Sequence, residues 1–164
     1  MIEFMKEETI YDCWELAHGT KVFTNAELNC LAEDLRSCLD DGTDYTCVYL
    51  EPEDKVAGFI NFGQAPITSG SWFIYWIAVD KNKHGEGIGQ KLLEYAESFI
   101  RKQKGRLVYI ETSAGQAKFR PARKAYENAG YEQIAHLKNY YKTGDGKYIY
   151  VKAIKSKRKK KKPH

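Results

Sequence analysis

The clearest chemistry in this chain lies in His84-Gly85-Glu86-Gly87-Ile88-Gly89. Glycine at every second position removes side chains where a ligand must approach the backbone. Ile88, Leu92, Leu93, Ala96, Phe99 and Ile100 then fall on one face of a helix. A helix beginning there presents unpaired N–H groups and the positive end of its dipole, a site for phosphate or pyrophosphate. The bland alternative is a glycine-rich turn that only redirects the chain. A P-loop is excluded, because G-I-G-Q-K is not followed by Ser or Thr. A dinucleotide fold has one point in its favour. Glu111 stands 22 residues after Gly89, at the end of the next apolar run, where a ribose-binding acid would lie. Against it, Gln90 occupies the third glycine position, and four residues separate Asp80 from the first glycine.

The elements that must position this loop follow from the hydrophobic period. Ile10, Cys13, Trp14 and Ala17 recur at helical spacing, with a break near Gly19. Thr24-Asn25-Ala26-Glu27 is a capping-box pattern opening a second helix that carries Leu28, Leu31, Leu35 and Leu39, and Asp41-Gly42 ends it. Tyr45–Glu51 and Val56–Phe62, joined by Pro52-Glu53-Asp54-Lys55, predict a β-hairpin. Ser71–Val79 is nearly all apolar and predicts a central strand covered on both faces. After the glycine loop and its helix, which Gly105 stops, Leu107–Thr112 is a further strand. Pro121 suits the first turn of a helix with Ala122, Ala125, Tyr126 and Ala129 on its face. Tyr131–Tyr141 and Tyr148–Ile154 flank a turn at Gly144-Asp145-Gly146. The order predicts an α/β (α+β) domain on a mixed sheet, with a right-handed parallel crossover through the glycine loop.

Composition bounds the rest. At 164 residues and 43% hydrophobic, the chain is long enough for one cored domain and too apolar to be disordered or fibrous. There is no run of about 18 apolar residues, and the acidic start MIEFMKEETIYDCWEL does not read as a secretory signal. Cys13, Cys30, Cys38 and Cys47 form no Cys-x-x-Cys pair and have no histidine at zinc-finger spacing. A cytoplasmic protein with no structural metal and no membrane contact is expected. The net charge of +4 is uneven: seven basic groups and no acid lie in the last ten residues, KSKRKKKKPH. The other 154 residues hold 19 basic against 22 acidic groups. A domain over 1–154 and a basic, solvated tail over 155–164 are therefore expected, the tail being able to touch nucleic acid or a ribosome.

Two segments carry a resemblance. Val79-Asp80-Lys81-Asn82-Lys83-His84-Gly85-Glu86-Gly87-Ile88-Gly89 resembles the acetyl-CoA loop of the GNAT acyltransferases, V-x-x-x-x-[Q/R]-x-x-G-x-[G/A]. Downstream, Ala122-Arg123-Lys124-Ala125-Tyr126-Glu127-Asn128-Ala129-Gly130-Tyr131 resembles that family's A-R-x-x-Y-E-x-x-G-[FY] signature. The likeness covers about residues 45–153. The N-terminal helices fit more loosely, and the family's first strand is short or absent in MIEFMKE. It implies a single GNAT-like domain with helices on both faces of the sheet, and acetyl-CoA as cosubstrate for acetyl transfer to a primary amine.

By that resemblance, Ile77, Ala78 and Val79 offer unpaired strand groups to the pantetheine arm. His84, Gly85, Glu86, Gly87, Ile88, Gly89 and Gln90 form the pyrophosphate loop, with the Glu86 carboxylate expected to turn away from phosphate. His84 departs from the family's Gln or Arg and offers fewer donors, so the grip is expected to rest on backbone amides and to vary with pH through the imidazole. Tyr126 matches the tyrosine that donates to the coenzyme sulfur. Glu111 is the first candidate for a base, or for binding a cationic acceptor. Trp72, Tyr75, Tyr140 and Tyr141 are candidate linings of an acceptor cleft, and Arg120 and Arg123 candidate phosphate or substrate contacts. The acceptor, a small molecule or a peptide amine, is not named by the sequence. The family's habit of pairing along sheet edges admits a homodimer. The competing readings are an inactive acyl-CoA-binding module and a nucleic-acid-associated protein acting through its tail.

Overall fold

A computed structural model describes residues 1–40 and 42–155. The expected basic tail, apart from Lys155, lies outside the described residues. A seven-stranded sheet runs through the domain. In chain order the elements are β1 (Ile2–Phe4), α1 (Ile10–Gly19), α2 (Asn25–Asp40), β2 (Asp44–Leu50), β3 (Val56–Gln64) and β4 (Ser71–Val79). They continue with α3 (Ile88–Lys102), β5 (Leu107–Ser113), α4 (Arg120–Asn128), β6 (Glu132–Lys142) and β7 (Asp145–Ala153). The strand order is β1-β2-β3-β4-β5-β7-β6. Every neighbouring pair is antiparallel except β4 and β5, which are parallel and joined through α3.

The capping box forms as its residue types dictate. Thr24 N–H donates to Glu27 Oε2 at 2.7 Å, and Glu27 N–H donates to Thr24 Oγ1 at 3.2 Å. The family's first strand is present, as three residues paired with β2.

Two clusters make the core, one on each face. Val48 and Phe59 pack with Leu28, Leu31 and Leu35 under α1 and α2. Cys47, Ile60 and Phe62 pack with Leu92, Leu93, Ala96 and Ile100 of α3. The strand period of two thus sends neighbouring residues to opposite cores, which is why β3 is buried almost throughout. Cover on both faces makes β3 a rigid support, whereas β4 is buried only at Trp72, Ile74 and Ala78 and is not covered throughout as its apolar run predicts.

A polar network ties the far side together. Glu97 of α3 is buried, accepts from Tyr131 Oη at 3.0 Å, and takes Lys152 Nζ of β7 on both oxygens at 3.0 and 2.8 Å. The Tyr131 phenol is pushed above its ordinary value by burial and by the Glu97 carboxylate. No helix among the described residues is long and apolar enough to cross a membrane.

Candidate active site

The site begins where two parallel strands part. β4 and β5 are in register only from Ser71–Leu107 to Ile74–Ile110. Beyond Ile110, β5 pairs with β7 alone, while Trp76 to Val79 of β4 pair with β3 alone. One edge of β4 from Tyr75 to Val79 therefore has no ladder partner, and its backbone groups there, apart from the Val79 carbonyl that His84 contacts, are open to a ligand. A bulge marks the parting: Phe62 faces Ile74 and Asn61 faces Trp76, so Tyr75 is the extra residue. Its ring is 44% exposed and lines the cleft.

That cleft measures about 1140 Å³. It is walled by β4, by the loop before α3, by the end of β5 and by α4. Ile77, Ala78, Val79, His84, Gly85, Gly87, Ile88, Gly89 and Gln90 all line it. Gly85 and Gly87 sit at φ +87° and +78°, in the left-handed region where a side chain is strained. Gly87 caps α3, and the first helical bond runs from Lys91 N–H to Gly87 C=O at 3.1 Å. The amides of Ile88, Gly89 and Gln90 precede it and have no helical acceptor, which is the arrangement an anion needs.

His84 and Glu86 are placed differently from the other loop residues. His84 Nε2 lies 3.1 Å from Val79 C=O, so that nitrogen carries its hydrogen toward the strand end and is not free for a phosphate. Glu86 is exposed, lies 4.0 Å from Lys83 Nζ and is not part of the cleft wall. Asp80 shapes the turn, accepting from Asn82 N–H at 2.9 Å.

Tyr126 reaches the cleft from α4. Its ring is 7% exposed and packs edge-on against Tyr131 and Tyr150, with centroids 6.4 and 6.0 Å away. Its hydroxyl makes no hydrogen bond to any described residue, yet the side chain lines the cleft. Burial, with the Tyr150 phenol adding to it, pushes the Tyr126 phenol well above its ordinary value, so it is a neutral donor at pH 7.

Glu111 lines the cleft at the end of β5. Its Oε2 accepts from Lys147 Nζ of β7 at 2.8 Å. Tyr141 and Asp145 line the same end. Asp145 is buried, and its carboxylate accepts from Ser113 Oγ at 2.6 Å, Gly115 N–H at 3.2 Å and Gln116 Nε2 at 2.6 Å. Burial alone would raise its carboxyl, but these hydrogen bonds outweigh that and hold it below its ordinary value. Tyr75 lies in a negative field: burial first, then Asp44, Asp34 and Glu111, raise its phenol.

Three sequence candidates take other places. Trp72 is 3% exposed, inside an aromatic cluster with Tyr45, Phe62 and Phe99, because its position on β4 faces α3 rather than the cleft. Arg123 donates to Ser113 C=O at 2.7 Å and Gln116 C=O at 3.2 Å, fastening the loop after β5. Tyr140 is exposed and lies under the Lys147 ammonium, outside the cleft wall. Conversely, Phe23, Ser113, Gln116, Asp145 and Lys147 were not singled out by sequence. The one available signal was an aspartate and a lysine standing just before the apolar run Tyr148–Val151.

A family model described as an acetyltransferase (GNAT) domain matches residues 43–133. A solved structure of a candidate GNAT acetyltransferase from Desulfovibrio desulfuricans is 30% identical, with 94% of this chain and 99% of that chain covered and a TM-score of 0.89. The chain belongs to the GNAT acetyltransferase family. An aminoglycoside 6'-N-acetyltransferase complexed with coenzyme A is 16% identical, covering 97% of this chain and 99% of that one, with a TM-score of 0.78. The ribosomal-protein-S18-alanine N-acetyltransferase from Escherichia coli is 18% identical, covering 100% and 99%, with a TM-score of 0.77. At those identities the last two share the fold alone. No curated protein sequence matches the chain.

Proposed function

We propose that this chain is an acetyl-CoA-dependent N-acetyltransferase acting on a primary amine. The observation that carries the reading is the open edge of β4 from Tyr75 to Val79, which leads to the free amides at the start of α3 within one cleft. These residues fit the cosubstrate's chemistry. Unpaired strand groups match an amide-bearing arm, and helix amides behind left-handed glycines match a pyrophosphate. When bound, acetyl-CoA supplies an activated acetyl group for direct attack by the amine.

The chain's own residues do the rest. Ile77, Ala78 and Val79 orient the arm through their backbone. Gly85, Gly87, Ile88, Gly89 and Gln90 hold the phosphates, with His84 bracing the strand end behind them. Tyr126 Oη donates its proton to the departing sulfur, a role suited by a hydroxyl that is protonated at pH 7 and has no hydrogen-bond partner among the described residues. Glu111 receives the acceptor amine at the other end of the cleft and takes the proton that the nitrogen loses on attack, while Tyr126 regains its own from solvent. The neighbours that act on an aminoglycoside or on a ribosomal protein's alanine support an amine acceptor without choosing one.

The test is a calorimetric titration of the purified chain with acetyl-CoA, with NAD as a control. Free-thiol release is then read with a small polyamine, an amino acid, an aminoglycoside and a peptide N-terminus. Binding of acetyl-CoA but not NAD, followed by thiol release with an amine, is expected. Binding of NAD alone overturns the reading and makes Glu111 a ribose ligand. Acetyl-CoA binding without thiol release from any amine would instead indicate a binding module.

A further inference from the structure

We propose that Lys147 is a positioning residue for the acceptor, holding Glu111 and Tyr141 in place at the amine end of the cleft. This rests on the acetyl-transfer reading above. The Lys147 side chain is 9% exposed, and its Nζ is 2.8 Å from Glu111 Oε2. The same nitrogen stands 3.7 Å from the centroid of the Tyr140 ring and 5.6 Å from that of Tyr141. Lys147 pairs across from Ser113 in β5 and from Leu137 in β6, so one ammonium joins the carboxylate of one strand to the tyrosines of another. Glu111 and Tyr141 line the cleft, and Lys147 does not.

A lysine ammonium taken out of water is costly unless it is paired. An apolar residue of the same length would fill this volume without that cost. What only the ammonium provides is direction. It occupies Oε2 of Glu111 and leaves Oε1 with no hydrogen-bond partner among the described residues. A fixed carboxylate with one free oxygen, beside the half-exposed rings of Tyr75 and Tyr141, suits the N–H groups of an ammonium or amine. Burial by itself lowers the Lys147 pKa, but hydrogen bonding to Glu111 and Tyr140 and the Glu111 charge outweigh it. The residue is therefore cationic throughout the neutral range.

The experiment uses the full chain and the panel amine that it turns over fastest. Lys147→Met should raise KM for the amine on the order of tenfold, with acetyl-CoA affinity within about twofold of the parent. Lys147→Arg should recover most of that loss. Combining Lys147→Met with Glu111→Gln should cost clearly less than the sum of the two single losses, because the lysine acts largely through the carboxylate. Tyr140→Leu, at a half-exposed ring outside the cleft, should raise KM in the same direction if Lys147→Met does not fold. An unchanged KM in Lys147→Met, or in Tyr140→Leu where it stands in, overturns the proposal. So does additivity of the Lys147 and Glu111 losses. A parent chain that fails to bind acetyl-CoA overturns the transfer reading and this one with it.

Discussion

Tyr126 shows how burial converts an ordinary side chain into a specific one. Packed between Tyr131 and Tyr150, its ring has little freedom, and its hydroxyl has no hydrogen-bond partner among the described residues. The side chain lies on the cleft wall, so that hydroxyl is open to a group bound in the cleft. The A-R-x-x-Y motif placed this residue by resemblance alone; nothing in its spacing separates a core tyrosine from a donor. Tyr126→Phe should therefore lower turnover by a factor of about 10²–10⁴ while leaving acetyl-CoA affinity nearly intact. Single-turnover thiol release and calorimetry on the same protein read the two effects separately, and an unchanged rate would remove the role. His84 illustrates the opposite case. Its type suggested a phosphate donor, but its Nε2 serves the Val79 carbonyl, a choice set by the fold of the loop that no residue count could reveal.

At the level of elements, the strands and helices were largely legible because each carries one clear period. The α3 stripe and the apolar strand Ser71–Val79 both read directly from residue type, although only Trp72, Ile74 and Ala78 of that strand are buried, because the cleft opens along it. What was not legible is what happens between elements. The parting of β4 from β5 depends on a one-residue bulge at Tyr75, and alternation cannot show a bulge inside an all-apolar run. The contact of Lys147 with Glu111 joins residues 36 apart in sequence, which a single chain without its topology does not disclose. The glycine loop offers a test at this scale. A Cβ at Gly87 would meet nothing within 4 Å, so any penalty there comes from its φ of +78°. Gly87→Ala should cost about 1–2 kcal/mol in urea unfolding and weaken acetyl-CoA. Gly89 has no such φ, and a Cβ there would meet Val79 Cγ2 at an ordinary 3.6 Å. Gly89→Ala should be neutral or stabilising, since alanine favours a helix, while still weakening acetyl-CoA by covering the amides. Equal affinity in Gly89→Ala and parent would show that no ligand approaches the backbone at that turn.

Across the whole molecule, the acceptor end of the cleft depends on fastening two distant parts of the chain. The loop after β5 is held by Arg123 from α4 and by Asp145 at the start of β7. Asp145 is the titratable half of this clamp. Its carboxyl is held below its ordinary value of 3.8, with burial opposing and three hydrogen bonds prevailing. A depressed folded pKa contributes stability that is complete above the unfolded value and is lost as pH falls through the folded one. The clamp should therefore be intact at neutral pH and release only in acid below 3.8. Asp145→Asn keeps one acceptor oxygen for Ser113 and Gly115 but sets an amide N–H₂ against Gln116 Nε2, so it should lower Tm at pH 7. Because the parent loses the same contribution in acid, the gap in Tm between the two proteins should narrow as pH is taken from 7 to about 2.5. Thermal melts at intervals over that range decide the matter: a gap that stays constant with pH would mean that the Asp145 charge contributes nothing to holding the loop, which Arg123 and the backbone bond from Ala114 N–H to Gly146 C=O would then fasten.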